Sequence, residues 1–75
     1  MSNIFTKQEA IYLMKKGIKM THVLFSSDEW VVIKNEDMFF EDGYSCSQNQ
    51  FWADRRSREW LFNWSEWKEL KQNDI

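Results

Sequence analysis

Residues 51–67 read Phe-Trp-Ala-Asp-Arg-Arg-Ser-Arg-Glu-Trp-Leu-Phe-Asn-Trp-Ser-Glu-Trp and hold four of the five tryptophans of a 75-residue chain, mixed with three arginines. A chain this short buries only about 60% of the surface it exposes when unfolded. Each large ring buries roughly 150–250 Å². Rings at this density must build the core, form an adhesive surface, or do both. Trp30 and Trp52 are expected in the core. Trp60, Phe62, Trp64 and Trp67 are too closely spaced to be buried together on one side of so thin a domain, so one or two of them should be exposed.

Length sets a single domain over 1–75, with an ordered core of about 6–70. Cys46 is the only cysteine. It can form no internal disulfide and cannot supply a zinc site, which suits a reducing, cytoplasmic setting. The opening Met-Ser-Asn-Ile-Phe lacks the basic and apolar regions of a signal peptide. No apolar run approaches the ~20 residues of a membrane span.

The net charge of −2 conceals a segregation. Lys7, Lys15, Lys16 and Lys19 face only Glu9 in the first 19 residues. Asp28, Glu29, Glu36, Asp37, Glu41 and Asp42 face only Lys34 in residues 26–43. A net-acidic chain is a poor ligand for a phosphate backbone, so direct sequence-specific DNA binding is not expected. An acidic middle suits a basic protein surface instead, such as the groove of a nucleic-acid enzyme. The bland counterpart is that acidic residues sit at hairpin turns for solubility.

Thr6-Lys7-Gln8-Glu9 is a capping box. Ala10, Leu13 and Met14 then recur at helical spacing, and Gly17 is a natural stop. This predicts a helix over about Lys7 to Lys16. Strands follow at Ile18–Val23, Trp30–Ile33 and Met38–Phe40, the last two joined through Asn35-Glu36-Asp37. Asp42-Gly43 marks a turn. Ser47 to Gln50 repeats the capping pattern and opens a short second helix that carries Phe51, Trp52, Arg55, Arg56, Glu59 and Trp60. A last strand is expected over about Asn63 to Glu69. The order is α-β-β-β-α-β, an α+β domain with two helices on one face of an antiparallel sheet of three to four strands.

These elements, Gly17, Thr21-His22, Phe25-Ser26-Ser27-Asp28-Glu29-Trp30, Asp42-Gly43 and Phe51-Trp52-Ala53-Asp54-Arg55, resemble a group of small anti-defence proteins of bacterial viruses and prophages, some of which are anti-CRISPRs. The opening helix, Gly17 and the closing Trp strand look more loosely like the Thoeris anti-defence sponge family. That family usually carries a basic, Gly- and Trp-containing turn after its first strand. This chain has the acidic Leu24 to Glu29 there, so no ligand residue is carried over.

The resemblance implies a non-catalytic inhibitor in the cytoplasm of a bacterial host, with no cofactor. Its partner would be a defence protein, a CRISPR effector with or without its guide RNA. Asp28, Glu29, Glu36, Asp37, Glu41 and Asp42 would meet a basic channel. Trp60, Trp64 or Trp67 with Arg55 and Arg56 would supply the desolvated anchor. The alternative is an oligomeric sponge in which Arg55, Arg56 and aromatics hold a cyclic nucleotide. A homo-oligomer is compatible with either.

No enzyme signature competes with these readings. His22, the only histidine, has no nucleophile in a recognised arrangement. Asp28 and Glu29 are adjacent, so a strand would send them to opposite faces. The plain reading of the arginines is that their stems cover the core, with Arg55 paired to Glu59.

Overall fold

A computed structural model describes residues 4–68. Thr6 caps helix α1, Lys7–Lys15, with both halves of the capping box formed: the Glu9 N–H donates to Thr6 Oγ1 and the Thr6 N–H donates to Glu9 Oε1. The helix stops at Gly17, whose φ of +90° suits a residue without Cβ. Four short strands follow: β1 Met20–His22, β2 Val31–Lys34, β3 Asp37–Phe40 and β4 Ser45–Ser47. Helix α2, Gln48–Ala53, starts directly from β4, and the Ser47 hydroxyl accepts the Gln50 N–H. A single 3₁₀ turn, Arg58–Leu61, leads to β5, Trp64–Glu66.

The strands form one antiparallel sheet in the order β4-β3-β2-β1-β5. The α+β class therefore holds, with five strands where three to four were expected. The extra strand is β4, three residues long and polar at Ser45 and Ser47, so it carries no hydrophobic alternation to announce it. β5 pairs with β1 rather than following β4, which brings the Trp-rich segment beside the first strand. Phe5 then bridges Trp64 from outside, covering part of that edge.

Two other expectations change. The second helix ends at Ala53 instead of carrying through to Trp60. Arg55 turns back and donates to the Phe51 carbonyl at 3.1 Å, satisfying a helix-end acceptor. The closing strand begins after Asn63: the 3₁₀ turn ends at Phe62, whose backbone is already extended at φ −139°, and Asn63 follows at φ +72°. The strand ends at Glu66, so Trp67 and Lys68 fall outside it, against expectation; Glu69 and the tail after it lie outside the described residues.

Both helices pack on one face of the sheet. Ala10 and Met14 of α1 and Phe51 of α2 meet Met20, Val31, Ile33, Met38 and Trp64. Alternation sends the intervening residues, Lys19, Thr21, Trp30, Val32 and Phe39, to the other face. No helix among the described residues covers that second face. Val32 is buried there by neighbouring side chains.

The β2–β3 hairpin turns through Asn35 and Glu36, with φ of +50° and +73°. Positive φ at both central residues is the condition of a type I′ turn, for which Asn-Gly is the favoured pair. Glu36 holds this conformation at a cost that glycine avoids. Glu36→Gly is therefore expected to stabilise the fold by roughly 0.5–1 kcal/mol, raising the melting temperature by about 4–8 °C per kcal/mol in a domain of this size. A thermal melt followed by circular dichroism measures it.

Candidate functional site

The site is best built outward from His22, which is buried in the core at 3% exposure. The Leu24 N–H donates to its Nδ1 at 3.1 Å, so the ring proton lies on Nε2. That N–H is shared between the carbonyls of Glu59 and Phe62, each at 2.8 Å. The imidazole stacks on Trp60 with centroids 4.2 Å apart and meets the edge of Trp64 at 4.8 Å. Both ring nitrogens are thus committed to backbone, and the histidine clasps the end of β1 to the 3₁₀ turn. This leaves it no free lone pair for proton abstraction from a substrate.

Around this clasp the tryptophans separate. Trp64 is fully buried, and its indole N–H donates to the Trp60 carbonyl at 2.9 Å. It cannot serve as a surface anchor, because it stands opposite His22 on the helix-covered face of β5. Trp60 is half-buried against His22 and Arg55. Trp67 is half-buried on the second face, where its indole N–H donates to the Ser27 carbonyl at 3.1 Å. Trp30, expected in the core, also lies half-buried on that face, 6.1 Å from Trp67.

The arginines separate as well. The Arg55 guanidinium lies 4.0 Å from the Phe51 ring centroid and 5.3 Å from that of Trp60, and its Nε is buried without a hydrogen-bond partner. It is a packing residue more than a free cation. The expected Arg55–Glu59 pairing is replaced: the Ser57 hydroxyl donates to the Glu59 carboxylate at 2.6 Å, and this bond holds that carboxyl below its usual range. Arg56 is exposed. The early end of α2 removes the helical alignment that would have stacked Arg56 with Trp60.

The acidic residues fall into two groups. Glu36 and Asp37 sit at the β2–β3 turn, where Asp37 stands opposite Lys34. Asp28 and Glu29 in the β1–β2 loop join Glu41 and Asp42 in the β3–β4 turn at the opposite end of the sheet. The Trp30 N–H donates to Glu41 Oε1 at 3.3 Å and ties the two turns together. Glu29 accepts the Ser26 N–H at 2.7 Å, and Asp42 accepts the Tyr44 N–H at 3.0 Å. These bonds shape the turns while leaving negative charge at the surface. Among the described residues no group of three or more His, Cys, Asp or Glu side chains could hold a metal ion.

Sequence reasoning missed two surface features, apart from the exposure of Phe62, which the crowding of rings allows for. Val23 and Leu24 after β1, and Leu61 and Phe62 before β5, are exposed at 44–65% and flank the His22 clasp. Lys19 on the second face holds its ammonium 4.5 Å from the Trp30 centroid and 5.7 Å from that of Trp67. The alternation of Lys19 and Thr21 with Ile18 and Met20 was the available signal for the second. Cys46 is half-buried, and burial raises its thiol pKa, so the thiolate is disfavoured.

Comparison with protein-family models, with curated proteins and with solved structures finds no match. No helix among the described residues is long and apolar enough to cross a membrane.

Proposed function

We propose that this chain is a phage-encoded, non-catalytic inhibitor of bacterial antiviral defence, of the anti-CRISPR type, that docks on a basic surface of its effector in the host cytoplasm. The observation that carries the reading is the convergence of two acidic turns. Asp28, Glu29, Glu41 and Asp42 share one end of the sheet, joined by the Trp30–Glu41 hydrogen bond. Charge gathered this way steers association with a basic groove and disfavours phosphate backbones. Exposed Val23 and Leu24 continue from the same β1–β2 loop and offer apolar area beside the charge. The occupied ring nitrogens of His22 favour binding over proton-transfer chemistry. The sponge reading loses support, because Arg55 is turned onto Phe51 and Trp60.

The test is the double reversal Asp28→Lys with Asp42→Lys. Both residues are exposed, and neither contributes to the core. Rim charges of this kind act mainly on association rate, over about one to three decades. The variant is expected to keep its circular dichroism spectrum and to lose at least tenfold in protection of a CRISPR-sensitive phage, measured by plaquing efficiency. Full protection by the folded variant rules out the acidic docking surface.

A further inference from the structure

We propose that the helix-free face of the sheet is an aromatic seat for an arginine side chain of a basic protein partner, built from Trp30 and Trp67, with Lys19 as an internal occupant that the arginine displaces. The inference rests on the acidic-docking reading above and names the group that such a partner presents.

The seat lies where the register places it. Met20 pairs with both Val31 and Glu66, so one residue further along Lys19 stands between Val32 and Trp67. The Trp67 N–H donates to the Lys19 carbonyl at 2.9 Å, which fixes that neighbour relation. Trp30 enters from the adjoining row, and its ring lies tilted at 52° to that of Trp67 with centroids 6.1 Å apart. Two hydrogen bonds fix the pair: the Trp67 indole N–H donates to the Ser27 carbonyl, and the Trp30 backbone N–H donates to the Glu41 carboxylate. Both rings are half-buried and therefore keep part of their surface open to solvent.

The chemistry of this face selects a cation. The negative faces of two indoles already attract an ammonium, that of Lys19. Lys19 is itself exposed, so its side chain can swing aside. The carboxylates of Asp28, Glu29 and Glu41 stand at the same end of the sheet as Trp30. Of these, the Glu41 carboxylate is the one fixed beside Trp30, where it accepts the Trp30 N–H and offers an acceptor to a cation on that ring. Arginine suits this better than lysine. Its guanidinium is planar, stacks flat on an indole, loses hydration more readily than an ammonium, and can bond a carboxylate through two N–H groups at once. Nucleic acid is the poorer occupant, because the same carboxylates repel phosphate.

The experiment titrates the full chain with octa-arginine and octa-lysine peptides at an ionic strength of about 0.15 M. It is read by tryptophan fluorescence and by the indole N–H signals of Trp30 and Trp67. Wild type is expected to bind octa-arginine roughly tenfold more tightly than octa-lysine. Lys19→Met should tighten octa-arginine binding about fivefold by vacating the rings. Lys15→Met removes the same charge from α1 and should change binding less than about twofold. Trp30→Leu, checked for folding by its amide spectrum, should weaken binding roughly tenfold.

Equal effects of Lys19→Met and Lys15→Met, or unchanged binding by folded Trp30→Leu, overturn the seat. If Asp28→Lys with Asp42→Lys abolishes peptide binding while Trp30→Leu does not, the seat fails and the acidic-docking reading stands. If Trp30→Leu abolishes it and the double reversal does not, the seat stands and the acidic-docking reading fails. No binding of either peptide by wild type overturns both.

Discussion

Trp64→Ala is expected to leave the chain without a stable fold at 37 °C. Trp64 is fully buried and touches the rings of His22, Phe25, Trp52 and Trp60. Its backbone also joins three strands' worth of structure, because it stands opposite His22 in β1 and exchanges two hydrogen bonds with Phe5. Truncating a buried tryptophan costs about 3–5 kcal/mol. A domain of this length has a total stability of about 4–11 kcal/mol. The loss is therefore comparable with the whole. Collapse of amide dispersion in the proton spectrum, with loss of near-ultraviolet circular dichroism, checks it. A cooperative melt close to wild type shows that the cluster of Trp64 with these four rings is dispensable.

His22→Ala comes second, at an expected loss of about 2–4 kcal/mol. The substitution strips the partner from three backbone groups: the Leu24 N–H and the carbonyls of Glu59 and Phe62. It also removes the ring that stacks on Trp60. A buried polar group left without a partner costs about 1–3 kcal/mol, more than the bond itself contributed. Urea denaturation measures the loss, and hydrogen exchange locates it. Amide protection should fall first at Val23–Phe25 and at Phe62–Trp64, the two segments that the imidazole joins. If the loss is spread evenly over the sheet, His22 is filler and not a clasp.

Local signals carry a linear reading a definite distance along the chain. The capping box at Thr6–Glu9 and the stop at Gly17 specify α1 within one residue at its end, because both signals act over three or four positions. The β2–β3 hairpin is legible for the same reason: Trp30–Ile33 and Met38–Phe40 flank the turn read at Asn35-Glu36-Asp37, which the structure narrows to Asn35 and Glu36 because Lys34 and Asp37 pair in the strands. α2 was predicted too long. Its apolar spacing extends to Trp60, but Trp60 is drawn onto His22, thirty-eight positions back in the chain, and the helix yields to that packing. β4 was missed because a three-residue edge strand with two serines has no period to detect.

For the candidate site, residue type was readable and position was not. The acidic turns, the arginines and the tryptophans all stand out in the sequence. Composition could not divide Trp64, sealed in the core, from Trp30 and Trp67, which share the second face with Lys19. Nor could it divide Arg55, folded onto Phe51, from exposed Arg56.

The chain alone determined the α+β class, the first helix, the central hairpin and the excess of rings over what one small core can bury. Capping, turn geometry and periodicity are local, and they act through neighbours a few residues away. Only the tertiary structure decided that β5 lies beside β1, and with it which tryptophans face the helices and which face solvent. That choice depends on the antiparallel register of β1 against β5, set by pairing between residues more than forty positions apart. Side chains on a strand alternate, so a shift of one residue would turn Trp64 to the second face and Trp67 toward the helices.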